Sequence, residues 1–242
     1  MTQGDERVRD SHRALAGKLV ADIRIDGAGK KVTRSDNCRV SDLSVSSDNL
    51  TFTYEAKSLP YPIDTSYYDN EKHTQADALS VISFMDEMNY EGLSVSGLSD
   101  GYYGLTIGGE FIGRFTAREL ERGINMALLQ NTPQYKQAMK IRQMNEERWL
   151  KERKMREFYW VEYNLMRKTG MLWACDEAAV DTLRKYRPHD IFLQWNGDLW
   201  LQYMHKGIRE DCVNEQQDLV DRIYEQNKPI PLQIEIKKFT DL

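Results

Sequence analysis

The sequence contains no apolar run approaching the roughly 18 residues that would suggest a membrane span. Its first residues, MTQGDERVRDSHRALAGKLV, lack the apolar centre of a secretory signal, so the chain as written is expected to stay in the cytoplasm. Cysteine is scarce, with 3 in 242 residues: Cys38, Cys175 and Cys212, none in a C-x-x-C pair. That spacing argues against a metal centre, because structural zinc draws its thiolates from closely spaced pairs. A Cys175–Cys212 disulfide is conceivable in an exported product, but the odd count favours buried thiols. Positive charge is not in excess either. A formal net charge of -5 gives no general attraction for a polyanion, so nucleic acid is not an expected partner. Nor does the sequence hold a P-loop, G-x-G-x-x-G, G-x-S-x-G, H-E-x-x-H or EF-hand pattern. No cofactor, metal ligand or catalytic residue is therefore expected.

What is present describes a folded chain: 40% hydrophobic and 29% charged residues, with length enough for one large domain or two small ones. Residues 5–20 have a modest helical stripe of Val8, Leu15, Leu19 and Val20. The rhythm then changes to period two in ADIRID, CRVSDLSV and LTFTYEA, with breaks at DGAGKK and SSDN. Such alternation predicts a small antiparallel sheet or sandwich with one buried face. SLPYPID interrupts it, since closely spaced prolines remove donors and fix φ. Over 73–90, Ala78, Val81, Ile82, Met85 and Met88 fall at helical spacing. Two further strands, EGLSVSGL and YYGLTIGG, lead through the Gly108-Gly109 turn into EFIGRF. Thr116 and Glu119 have capping-box spacing at the start of a helix whose apolar face comprises Ala117, Leu120, Ile124, Ala127 and Leu128.

The second half is helical. Thr132-Pro133 marks a helix start, and no proline or glycine follows until Gly170. This long helix has an aromatic face containing Trp149, Phe158, Tyr159, Trp160, Tyr163 and Met166, which needs a surface to pack on. Glu147–Lys151 and Glu152–Arg156 are i,i+4 pairs that support a solvated face. Shorter helices are predicted at 176–186, capped by Asp176, and at 211–226, with a final strand or extended arm in IPLQIEIKKF. The predicted class is thus α+β: a small antiparallel sheet followed by a helical arm containing one very long helix. The divisions fall at residues 1–20, 21–130 and 131–242.

Chemistry-bearing residues are dispersed. His12 has Asp10 nearby, whereas His73, His189 and His205 cannot be grouped. The richest stretch is HDIFLQWNGDLWLQYMHK, where Asp190, Trp195, Asn196, Asp198 and Trp200 combine aromatic faces with amide and carboxylate groups. Such a set can stack on and hydrogen-bond a sugar ring, making these the candidate substrate-binding residues and a carbohydrate the candidate ligand. The alternative reading of WNGDLW is an Asn-Gly turn between two apolar segments.

Three segments carry a family resemblance: VADIRIDGAGKKVTRSDNCRVSDLSVSSDNLTFTYEAKSLPYPID, YEGLSVSGLSDGYYGLTIGGEFIGRFTARELERGINMALLQNTPQYKQA and NEERWLKERKMREFYWVEYNLMRKTGML. They resemble the C-terminal region of bacterial SGNH/GDSL-type ester hydrolases, over about residues 12–175. The resemblance implies an accessory region of an enzyme acting on acylated carbohydrates or similar esters outside the cytoplasm. It carries over no catalytic residue. Arg9 stands where the family has its catalytic histidine, His12 matches a later one, and the serine motif and oxyanion-donor blocks are missing. On this reading residues 1–20 are the remnant last helix of an esterase core. Periplasmic or secreted placement would follow for a full-length member. An esterase core or a separate partner chain supplying the serine is then the expected partner. The alternative is a carbohydrate-binding or oligomerisation module, with the long helix packing against a second copy.

Overall fold

The computed structural model of the chain describes residues 20–66 and 72–239. The helix expected at 5–20, with Arg9 and His12, lies outside the described residues. Two compact units emerge: one takes the chain up to Lys140 together with Asn227 onward, and the other is Ile141–Gln226.

Among the described residues the first unit holds nine strands in two sheets. β1 (Ala21–Asp26), β2 (Lys31–Asp36), β5 (Glu91–Ser96) and β8 (Ile124–Asn125) form a four-stranded sheet in the order β2-β1-β5-β8. β3 (Cys38–Val45), β4 (Asn49–Ala56), β6 (Tyr102–Ile107), β7 (Glu110–Thr116) and β9 (Leu232–Lys238) form a five-stranded sheet in the order β3-β4-β9-β6-β7. The five-stranded sheet is antiparallel throughout. The other sheet departs from the expected pattern, because β1 pairs with β5 in parallel. Ile23, Ile25, Leu93 and Val95 from one sheet share a core with Phe52, Tyr54, Leu105 and Ile234 from the other. The α+β class is as read from the sequence.

Local chemistry explains how the chain changes sheets. Asn37, at φ 55°, stands alone between β2 and β3, a left-handed backbone that asparagine tolerates. Its side-chain amide donates to the Val20 carbonyl at 2.9 Å and fixes the turn. β2 has no predicted counterpart because its residues are almost all exposed, so no apolar alternation marks it. Gly108 and Gly109, at φ 58° and 83°, close the β6–β7 hairpin as a two-residue turn whose left-handed conformations suit glycine.

The predicted capping box is present. Thr116 Oγ1 accepts from the Glu119 N–H at 3.1 Å, and Glu119 Oε2 accepts from the Thr116 N–H at 2.7 Å. The helix that it starts, α2 (Ala117–Arg122), is shorter than predicted. Gly123 at φ 93° ends it, and Ile124 leaves to pair in β8. The helix expected over 73–90 is a 3₁₀ turn at Gln75–Ser80 and one short helix, α1 (Phe84–Glu87). Met85 is buried, but Val81 is 83% and Ile82 54% exposed, so the apolar stripe does not gather into one buried face.

The second unit is helical. α3 (Pro133–Val161) begins in the first unit and continues into a π-helical turn at Glu162–Met166. It is followed by α4 (Glu177–Tyr186), α5 (Ile191–Tyr203) and α6 (Lys206–Gln226). Asp176 caps α4 as predicted, accepting from Ala179 N–H at 3.0 Å. Phe158, Val161, Leu165 and Met166 bury one side of the long helix against Leu183, Leu193 and Trp200. Trp149, by contrast, stays on the surface beneath Arg153 and Arg156. Of the two predicted ion pairs, Glu152–Arg156 forms at 4.0 Å, while Lys151 turns from Glu147 to Glu215 on α6 at 2.6 Å. All three cysteines are free thiols; Cys38 and Cys212 are buried and Cys175 is exposed. Among the described residues no helix is long and apolar enough to cross a membrane.

Candidate ligand-binding face of the helical unit

The stretch singled out in the sequence is not a turn. WNGDLW lies in the middle of α5, and three interactions override the local preference of Asn-Gly. Asp190 caps the helix, its Oδ1 accepting from Phe192 and Leu193 N–H at 2.8 and 3.2 Å. Gly197 allows the Arg187 side chain to lie across the helix; a Cβ there would sit 3.2 Å from its Nε. Arg187 then grips Asp198 through its two terminal guanidinium nitrogens, Nη1 and Nη2, at 2.6 and 2.7 Å. That grip holds the Asp198 carboxyl below the usual carboxylate range.

A helix distributes the five candidate residues over different faces. Trp200 is buried, its indole N–H donating to Glu162 Oε1 at 2.9 Å. Asn196 is half-buried and Asp198 is engaged with Arg187. Trp195 is 67% exposed. It continues an aromatic row, with Phe192 5.6 Å away and Phe192 in turn 5.2 Å from Trp160 of α3. Asp190 lines a groove of about 370 Å³, together with Trp160, Asn164, Lys168, Tyr186 and His189. Asp190 and Trp195 therefore border one surface, and Trp200 serves the core beneath it.

The groove's other walls come from α3 and from the α4–α5 connection, and no local motif announces them. Their contribution is legible only once α3 is packed on α5. Nor does any local motif announce Glu162. It is buried in the π-helical turn, where Oε1 takes the Trp200 indole N–H and Oε2 takes the Trp173 backbone N–H at 3.0 Å. With these two donors, one buried carboxyl fixes two tryptophans at once. π-helical turns of this kind are frequent at functional sites.

Comparison with known proteins gives the helical unit a counterpart. Residues 139–228 match the protein-family model described as the diltiazem deacetylase C-terminal helical domain. These limits almost coincide with those of the second compact unit. Among solved structures the chain is similar to a gut microbial diltiazem-metabolizing enzyme, with a TM-score of 0.85 and 36% identity over 92% of this chain. The match takes in 50% of that enzyme, so the chain spans about half its length. A search of the curated proteins gave no match. These findings overturn the SGNH/GDSL resemblance. Its most distinctive segment, YYGLTIGGEFIGRFTAREL, consists of a glycine hairpin and a helix cap, and such devices recur wherever a strand turns into a helix. Over residues 139–228 the chain is thus similar to the C-terminal helical domain described for diltiazem deacetylase.

Proposed function

We propose that this chain acts as a non-catalytic accessory region of an ester hydrolase that deacylates small acylated molecules. The observation that carries this reading is the 36% identity, over 92% of the chain, to half of a diltiazem-metabolizing enzyme. The family description names a deacetylase, which fits removal of an acyl group from an ester. In this reading the hydrolytic groups come from a segment corresponding to the other half of that enzyme. The helical unit offers the bound molecule a rigid aromatic surface.

The geometry supports a supporting role. Ser99 Oγ receives a hydrogen bond from Lys238 Nζ at 2.8 Å and lies 3.1 Å from the Tyr103 hydroxyl, on the exposed surface. With the lysine as donor, the contact supplies no base to the hydroxyl, and acyl transfer needs both a base and preorganised oxyanion donors. The test is complementation. The chain is mixed with the non-matching half of the gut microbial enzyme, and acetate release from diltiazem is followed. The reading expects turnover from the mixture at a rate well above that of either part. A mixture no faster than its parts, with the chain itself turning over ester, would refute it.

A carbohydrate ligand remains the second reading, favoured by the exposed row of Trp160, Phe192 and Trp195. Titration with acetylated oligosaccharide should then quench tryptophan emission, and Trp195→Ala should abolish that response. Unchanged emission at saturating sugar would dismiss it.

A further inference from the structure

A second cleft of about 540 Å³ opens on the helical unit, between the end of α3 and the first half of α6. Its aromatic walls are Tyr159 and Trp173, with Tyr163 packed edge-on to Trp173 at 6.0 Å. Along the opposite rim stand Lys206, Arg209 and Glu210. Asp190 and Trp195 take no part in it.

The walls are held in place from behind. Trp173 adopts φ 64°, an uncommon conformation for a bulky residue, and the buried Glu162 carboxylate fixes its N–H. Arg209 Nη1 donates to the Tyr203 and Met204 carbonyls at 2.8 and 2.6 Å, which seats its guanidinium at the C-terminal end of α5. The guanidinium carbon lies 4.8 Å from the Phe158 ring centre and 5.8 Å from that of Trp173. Nη1 is thus engaged, and the other two guanidinium nitrogens have no hydrogen-bond partner among the described residues. Lys206 contacts Glu210 at 3.4 Å with both side chains largely exposed, an ion pair that water readily exchanges.

We infer that this cleft binds a planar aromatic molecule bearing an anionic group, such as an aryl carboxylate. The ring lies in the cleft against the Tyr159–Trp173 pair, itself packed edge-to-face at 6.1 Å, where apolar burial and aromatic contact supply affinity. The anion meets Lys206 and the free edge of Arg209, two cations against one carboxylate. Charge then decides between ligands of equal shape. An aryl ammonium is the natural rival, since three aromatic rings could cradle a cation. Arg209 already occupies the Trp173 face and would repel it.

The test uses calorimetric titration of the full chain with three ligands of one shape: naphthoate, naphthamide and naphthylmethylammonium. Naphthoate is expected to bind about fivefold or more tighter than naphthamide, the increment of one exposed charge contact, with the ammonium weakest. Glu210→Gln removes the opposing carboxylate at an exposed site and should tighten naphthoate binding, whereas Lys206→Gln should loosen it. Trp173→Leu should weaken all three ligands. Equal affinities for naphthoate and naphthamide, preference for the ammonium, no binding at all, or a Glu210→Gln variant that binds naphthoate no better would each overturn the inference. None of these outcomes depends on whether the chain supports ester hydrolysis.

Discussion

Glu91 and Glu162 are both buried, one in the sheet unit and one in the helical unit. Glu91 stands at the start of β5 inside the sheet core, accepting from the Tyr54 hydroxyl at 2.8 Å and from Gln134 Nε2 at 3.3 Å. Burial pushes its carboxyl up to about 7, and the two hydrogen bonds only partly oppose that rise. The folded state therefore binds a proton that the unfolded chain releases. Stability from this site is fully present below about pH 4.5, the ordinary value, and is lost as pH rises through about 7. Glu91→Gln removes the buried charge and keeps an acceptor for Tyr54. After rotation of the Gln134 amide, it also offers a donor to the unpaired Gln134 Oε1. In urea unfolding the variant should match the parent near pH 4.5 and exceed it at pH 8 by on the order of 3 kcal/mol. A pH-independent difference would show that Glu91 titrates alike in the folded and unfolded chain. Glu162 works as an acceptor for two tryptophans. Glu162→Gln must turn an amide N–H towards one of those donors, so we expect a loss of roughly 1–3 kcal/mol. The readout is chemical denaturation, with tryptophan emission shifting because Trp173 and Trp200 lose their anchor.

At the scale of elements, most boundaries were legible where a side chain closes a backbone hydrogen bond. Thr116 with Glu119, Asp176, and the Gly108-Gly109 turn were all read correctly, because each device is complete within four residues. The failures share the opposite property. α5 runs through Asn196-Gly197 because Arg187 and Asp198 lock across it and Trp200 is buried below, and these contacts belong to tertiary structure. The stripe over 73–90 has helical spacing but buries only Met85 of its five residues, and it forms one 3₁₀ turn and one short helix. The candidate site was half legible for the same reason. Asp190 and Trp195 were named from local chemistry, while the walls from α3 were invisible until the helices packed. Because Asp190 both caps α5 and lines its groove, Asp190→Ala should cost about 1 kcal/mol by thermal or urea unfolding. Asp190→Asn should restore most of that loss, since its amide oxygen can still accept from the first turn. A full loss in the asparagine variant would show that the charge, and not the cap, matters.

The whole molecule is organised by where its last strand goes. Sequence reading identified IPLQIEIKKF as extended, yet nothing local reveals that β9 takes the centre of the five-stranded sheet between β4 and β6. Leu232, Ile234 and Ile236 fill the shared core, so a chain that returns to its first unit after 86 residues of helical unit closes that unit topologically. Truncation after Gln226 is therefore expected to abolish cooperative unfolding of the sheet unit, measured by near-ultraviolet circular dichroism. Survival of that signal would contradict the core assignment. The helical unit coincides with the segment matched by the diltiazem deacetylase C-terminal domain, while the similarity to the solved enzyme extends over both units. In the proposed reading both units serve together beside an ester-cleaving segment. Incubating the purified chain with a fluorophosphonate probe and with p-nitrophenyl acetate tests this most directly. The account predicts no covalent adduct by intact-protein mass spectrometry and hydrolysis at the buffer rate. A stoichiometric adduct on one serine, with hydrolysis that disappears when that serine is replaced, would contradict it.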